Sequence, residues 1–180
     1  MKTFRKFGIA LMAVFAGLCM TACGDDDPDD GGDSNGDGGI VINNSTVTMN
    51  YAYYWSEGSE MHIEFYSWDV TSNSFPSKMS FLSIDYASTD NVPQTCVVAS
   101  NKYSMYVVKE ATYTSDGFQG ECSTSDSKSD LKITRNGSTV SVNIAYANGI
   151  GGEGDNWNDD FSLSVNWSGS MSELPEAYRD

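Results

Sequence analysis

The stretch 131-LKITRNGSTVSVNIAY-146 sets two alternating runs on either side of an Asn-Gly pair. In the second run Val140, Val142, Ile144 and Tyr146 fall on one side of an extended chain, with small or polar residues between them. A repeat of two is the period of a strand whose successive side chains point to opposite faces, so this run predicts a strand with one buried face. Asn136-Gly137 between the runs predicts a tight hairpin, because both residues tolerate the positive φ that a short turn between twisted strands requires.

The same period recurs on both sides of this hairpin. In 46-TVTMNYAYYW-55, Val47, Met49, Tyr51, Tyr53 and Trp55 share one face, with Thr46, Thr48 and Asn50 opposite. In 60-EMHIEFYSW-68, Met61, Ile63 and Phe65 point one way and Glu60, His62 and Glu64 the other. Leu82, Ile84 and Tyr86 repeat the pattern, as do Phe161, Leu163, Val165 and Trp167. Turn-forming clusters punctuate the runs: SEGS at 56–59, TSNSFPS at 71–77, STDNVP at 88–93, SDGF at 115–118 and ANGIGGEGDNWND at 147–159. No stretch carries a comparable helical stripe. The expected fold is mainly β, an antiparallel up-and-down β-barrel or β-sandwich of about eight to nine strands, formed by a single domain over residues 40–180.

The chain ahead of that domain has a different character. Lys2, Arg5 and Lys6 precede an apolar run from Ile9 to Leu18, followed by small residues, which is the three-part build of an export signal. The run is shorter than the roughly 20 apolar residues a permanent membrane helix needs. It ends in 20-MTAC-23, followed by Gly24 and then Asp25, Asp26, Asp27, Asp29, Asp30, Asp33 and Asp37. The segment resembles the lipobox of bacterial lipoproteins, with Met20 in place of the commoner leucine, and the acidic tract resembles the surface-export signal of Bacteroidota-type lipoproteins. The resemblance implies a signal peptide over 1–22, a lipidated Cys23, an acidic Gly/Asp linker over 23–39, and attachment to the outer membrane by the lipid anchor, displayed on the cell surface. Two or three acyl chains, each methylene contributing roughly 0.8 kcal/mol, anchor stably where one does not. As a linker, the tract is kept extended by like-charge repulsion.

Charge narrows the partners. The whole chain carries 10 basic against 25 acidic residues, and residues 40–180 carry seven against 18. So acidic a surface argues against nucleic acid and anionic headgroups as partners. Cys96 and Cys122 remain once the signal segment is set aside, and an even pair in an exported chain predicts a disulfide. A bond closing that loop would contribute roughly 3–4 kcal/mol in the chain-entropy model. Neither cysteine has a histidine beside it in the sequence, so a thiol nucleophile is not expected.

Chemistry-bearing motifs are few. His62, the one histidine, sits between Glu60 and Glu64 on the strand face that alternation turns outward; a metal would find imidazole and carboxylates there, but the expectation is a solvated polar face. Asp155, Asn156, Asn158, Asp159 and Asp160 offer oxygens that calcium accepts, yet their spacing does not follow an EF-hand, and the stretch is expected to be a loop between two strands. No nucleophile elbow, zinc-protease helix or phosphate loop is present in the sequence. No catalytic residue, metal or cofactor is therefore assigned.

Residues 45–170 resemble single-domain all-β surface lipoproteins through YAYYW at 51–55, IEFYSWD at 63–69 and WSGSM at 167–171. The resemblance implies cell-surface roles such as glycan capture or adhesion. The expected function is a non-catalytic binding or adhesion module taking a glycan or protein ligand through Trp157, Trp68 and Tyr54, since aromatic side chains give large contact area at low entropic cost. The alternative is a hydrolase or metal-dependent enzyme using scattered carboxylates.

Overall fold

Alternating β-branched, aromatic and short polar residues leave most of the described chain as strands. The computed structural model describes residues 39–72, 74–114, 117–127, 129–150 and 162–179, with the backbone alone given for those between 113 and 128 and for 148–150. Within them lie β1 (Gly39–Ile42), β2 (Ser45–Val47), β3 (Tyr51–Glu57), β4 (Glu60–Tyr66), β5 (Met79–Ala87) and β6 (Cys96–Val98). They are followed by β7 (Tyr103–Thr114), β8 (Gly117–Ser127), β9 (Leu131–Asn136), β10 (Thr139–Ile150), β11 (Ser162–Ser170) and β12 (Ser172–Glu173). Four of these twelve are pieces of two to four residues; the remaining eight are six to twelve residues long, in line with the eight to nine strands expected.

The hydrogen-bonded path runs β12-β3-β4-β5-β7-β8-β10-β11-β1-β2, and β9 leaves it at β10 with β6 on its far side. Every pairing is antiparallel except β12 with β3. The path does not close: β2 and β12 stand at its two ends. It folds instead into two layers, β3-β4-β5-β7-β8 and β6-β9-β10-β11-β1-β2, joined where residues 124–127 of β8 pair with 147–150 of β10. The architecture is a β-sandwich.

One apolar cluster fills the space between the layers. Met61, Ile63, Phe65, Leu82 and Ile84 from the first layer meet Ile133, Val142, Ile144, Leu163 and Val165 from the second, all at most 1 % exposed. Phe65 meets Trp167 edge-on across the gap, with ring centroids 5.1 Å apart. Each such side chain contributes about 1.5–3 kcal/mol when fully buried.

Three local expectations are corrected. The β9–β10 turn is centred on Gly137-Ser138, because Asn136 pairs with Thr139; positive φ is confined to Gly137 (64°), the pattern of a hairpin with glycine first. Tyr146 is 48 % exposed, because an irregularity between Ile144 and Ala147 hands the inward position to Ala147. The run 46–55 is two strands with a change of phase between them: Met49 and Ala52 both enter the inter-layer core, which turns Tyr51, Tyr53 and Trp55 to the opposite side of the sheet. The sequence reading also passed over β1 and its hairpin to β2, formed at Asn43-Asn44, where both residues hold positive φ (49° and 60°).

The chain end ties the layers together. After β11 and Met171, β12 crosses to the first layer and pairs with β3, Ser172 opposite Tyr53 and Glu173 opposite Tyr54. The Leu174 N–H then donates to the Tyr54 carbonyl at 2.9 Å, and the Leu174 side chain is buried. Arg179 holds the turn, its Nε donating to the Leu174 carbonyl at 2.6 Å and its guanidinium pairing with Glu173 at 2.7 Å.

Candidate functional site

Residues directly opposite in an antiparallel pair share a face, so the registers of β3, β4, β5 and β7 sort their outer side chains into rows. Glu57 stands opposite Glu60, which stands opposite Ala87. The next row is Trp55, His62, Asp85 and Ser104, and the one after it Tyr53, Glu64, Ser83 and Tyr106. The last is Tyr51, Tyr66, Phe81 and Val108. This face is not bare. Trp68, Val70 and Met79 from the segment between β4 and β5, with Leu174 from the tail, form with Trp55, Tyr66, Phe81, Val108 and Ala111 a second buried cluster. Half-buried Tyr51, Tyr53, Tyr106 and Tyr178 pack around it.

A polar network lies at its centre. Glu64 is only 4 % exposed, yet both carboxylate oxygens are met: Trp55 Nε1 donates to one at 2.9 Å and the Tyr66 hydroxyl to the other. Burial raises the Glu64 pKa, against the opposing pull of those two donors. His62 lies flat against Trp55, ring centroids 3.7 Å apart and planes 7° from parallel. Its Nδ1 is 2.9 Å from Asp85 Oδ1, which also accepts the Ser83 hydroxyl at 3.0 Å. Burial disfavours the imidazolium, but the hydrogen bond and charge of Asp85, with Glu60 and Glu64 behind it, outweigh burial and raise the His62 pKa. Tyr53 is pushed up to about 12 by burial and by Asp69, whose Oδ1 lies 3.5 Å from its hydroxyl. The solvated polar face expected of Glu60, His62 and Glu64 is thus, at its centre, a buried network.

Of the aromatic residues predicted to bind ligand, the two that are described, Trp68 and Tyr54, pack against different clusters. Trp68 is 9 % exposed and packs edge-on to Tyr66 at 5.0 Å, so it is a core residue of the outer cluster and not a surface contact. Tyr54 is half-buried against the inter-layer core. Trp157 and the 155–160 acids lie outside the described residues, as does Cys23 with the lipobox and acidic tract. The expected Cys96–Cys122 bond is not formed: Cys96 is a free, half-buried thiol on β6, in the second layer, while Cys122 lies on β8 in the first, opposite Val108. Among the described residues no group of three or more histidine, cysteine or acidic side chains is placed to hold a metal ion.

The sequence reading missed that Tyr53 and Tyr106 share one row of one face, and that Asp85 is the partner of His62. A partial signal was present: aromatic residues fall on both alternations, at Tyr53 and Tyr54 in 51-YAYYW-55 and at Phe65 and Tyr66 in 61-MHIEFY-66, as in strands buried on two sides. Comparison with known proteins finds no family model, curated protein or solved structure that matches this chain.

Proposed function

We propose that this chain is a lipid-anchored, surface-displayed binding module whose ligand, a glycan or a protein, is taken on the outer face of β3-β4-β5-β7. The observation that supports this is the placement of Tyr53 and Tyr106 at the two ends of one cross-strand row, half-buried, over a floor in which Glu64 and Ser83 are already buried. Rings held by packing and left partly open give contact area at little entropic cost. Tyr53 is braced edge-on against Tyr66 at 6.0 Å, and Tyr106 packs against Phe81 at 5.9 Å. Glu64 speaks for binding over hydrolysis: a carboxylate sealed from solvent with both oxygens engaged holds the floor rigid and is not presented to a substrate. Lipidation at Cys23 and export by the acidic tract are the means of display implied by the sequence.

The test is a screen of glycans and of surface proteins against the purified chain, read by tryptophan fluorescence, since Trp55 and Trp68 both belong to this face. Tyr53→Ala and Tyr106→Ala should each weaken the ligand found by about tenfold, with the fold retained by circular dichroism. A ligand indifferent to both, yet lost on Trp157→Ala, would move the site to the glycine-rich stretch and refute this placement.

A further inference from the structure

The strand rows of the outer face carry more acids than bases. Its four rows hold Glu57, Glu60, Glu64 and Asp85, no lysine or arginine, and His62 as the one basic side chain. Glu57 and Glu60 stand directly opposite each other across the β3–β4 hairpin, an arrangement that destabilises a strand pair. Neither is in an ion pair; among the described residues the ion pairs are His62–Asp85 and Arg179–Glu173. Glu60 and Asp85 are diagonal neighbours on adjacent strands, about 7–8 Å apart at the backbone. Asp85 is already engaged by His62 and Ser83, so the carboxylates left to receive an ammonium or guanidinium are the facing pair Glu57 and Glu60.

Resting on the reading of this face as the ligand-binding surface, we propose that its ligand is a cationic protein segment. A lysine or arginine side chain is received between Glu57 and Glu60, and the neighbouring stem or ring surfaces are covered by Tyr53 and Tyr106. Tyrosine faces attract such cations through the ring quadrupole, and the surrounding carboxylates steer them in. A second copy of this chain is opposed by its own net negative charge. A neutral glycan could donate hydroxyl hydrogen bonds to these carboxylates but would gain nothing from their net charge.

The test uses fluorescence polarisation of a labelled lysine- and arginine-rich decapeptide against the purified chain, with a serine- and glycine-rich peptide of equal length as comparison. The cationic peptide should bind and the neutral one should not, and affinity should fall steeply between low and high salt. Glu57→Gln with Glu60→Gln should weaken binding at least about fivefold while leaving the melting temperature unchanged or higher, since a like-charge pair is removed. A merely structural role for these acids predicts the opposite stability change. Asp29→Asn with Asp30→Asn, an equal charge change in the linker, should leave binding intact. Equal losses in both pairs would reduce the effect to net charge and overturn the proposal. If a neutral oligosaccharide bound instead and was lost on Tyr53→Ala, the face would stand as the binding surface and the cationic ligand would be refuted. Peptide binding indifferent to Tyr53→Ala and Tyr106→Ala would refute the face itself.

Discussion

Replacing Trp55 by Phe removes one donor from a buried carboxylate while keeping an aromatic ring in place. Trp55 Nε1 donates to Glu64 Oε1 at 2.9 Å, and Glu64 is 4 % exposed, so water does not readily take over the lost bond. A hydrogen bond to a charged group contributes about 1.5–3 kcal/mol, and an unsatisfied buried acceptor keeps its desolvation penalty. The indole also stacks on His62 with planes 7° apart, and the smaller phenyl ring gives up part of a contact of about 0.5–1.5 kcal/mol. The expected loss is about 2–4 kcal/mol, or roughly 10 °C in melting temperature for a domain of this size.

A double-mutant cycle with Glu64→Gln separates the hydrogen bond from the packing. Glutamine can still accept from Trp55 through its carbonyl and removes the buried charge, so Glu64→Gln alone should cost about 1 kcal/mol or less. In that background Trp55→Phe should lose less than in the parent, giving a coupling of about 1–2 kcal/mol. Urea denaturation, with the slope checked for constancy, measures all four corners. A Trp55→Phe cost below about 0.5 kcal/mol, or strict additivity, would refute the buried charge-assisted bond.

Other outcomes follow from the same structure. Glu64 and His62 both hold protons more tightly in the fold than in the unfolded chain, their pKa values raised from 4.5 and 6.5, so stability should fall as pH rises from about 4.5 to beyond 6.5. Thermal melts across that range should show a decline that flattens in His62→Gln with Glu64→Gln; a rise with pH would contradict both assignments. Cys96, whose thiol pKa is pushed up by burial and by Asp90, should alkylate slowly at neutral pH when folded and readily once denatured without reductant. Failure to alkylate in the denatured, unreduced chain would restore a disulfide. Cys23→Ser should abolish palmitate labelling, and Asp25, Asp26 and Asp27 changed together to Ala should keep labelling but lose protease accessibility on intact cells. Acyl labelling of the Cys23→Ser chain would exclude the lipobox.

The inner face of the sandwich was legible because it obeys a local rule. Met61, Ile63 and Phe65, then Leu82 and Ile84, then Leu163 and Val165 sit at every second position, and all seven are buried between the layers. Alternation could not decide barrel against sandwich, because closure depends on whether the two end strands meet, and β2 and β12 are pieces of three and two residues without a periodic signature. Nor could it keep its phase through Met49-Asn50-Tyr51, where the chain leaves one strand and enters another: a run of alternating types looks continuous even where the backbone is not.

The outer face was misread for a different reason. Glu60, His62 and Glu64 were assigned to solvent by residue type, a sound average, since charged groups are rarely buried without partners. Whether they are buried depends on what lies over them, and that comes from far along the chain. Leu174 reaches β3 from the other end of the domain, and the Tyr178 hydroxyl donates to the Thr71 carbonyl across 107 residues at 3.4 Å. The cover is uneven. It encloses Glu64, whose partners Trp55 and Tyr66 lie on the covered rows, and leaves Glu57 open at the hairpin end with Glu60 only half-buried beside it. Three glutamates of one face thus divide into a structural acid and two that keep charge available to a partner. Tertiary cover, and not residue type, makes that division.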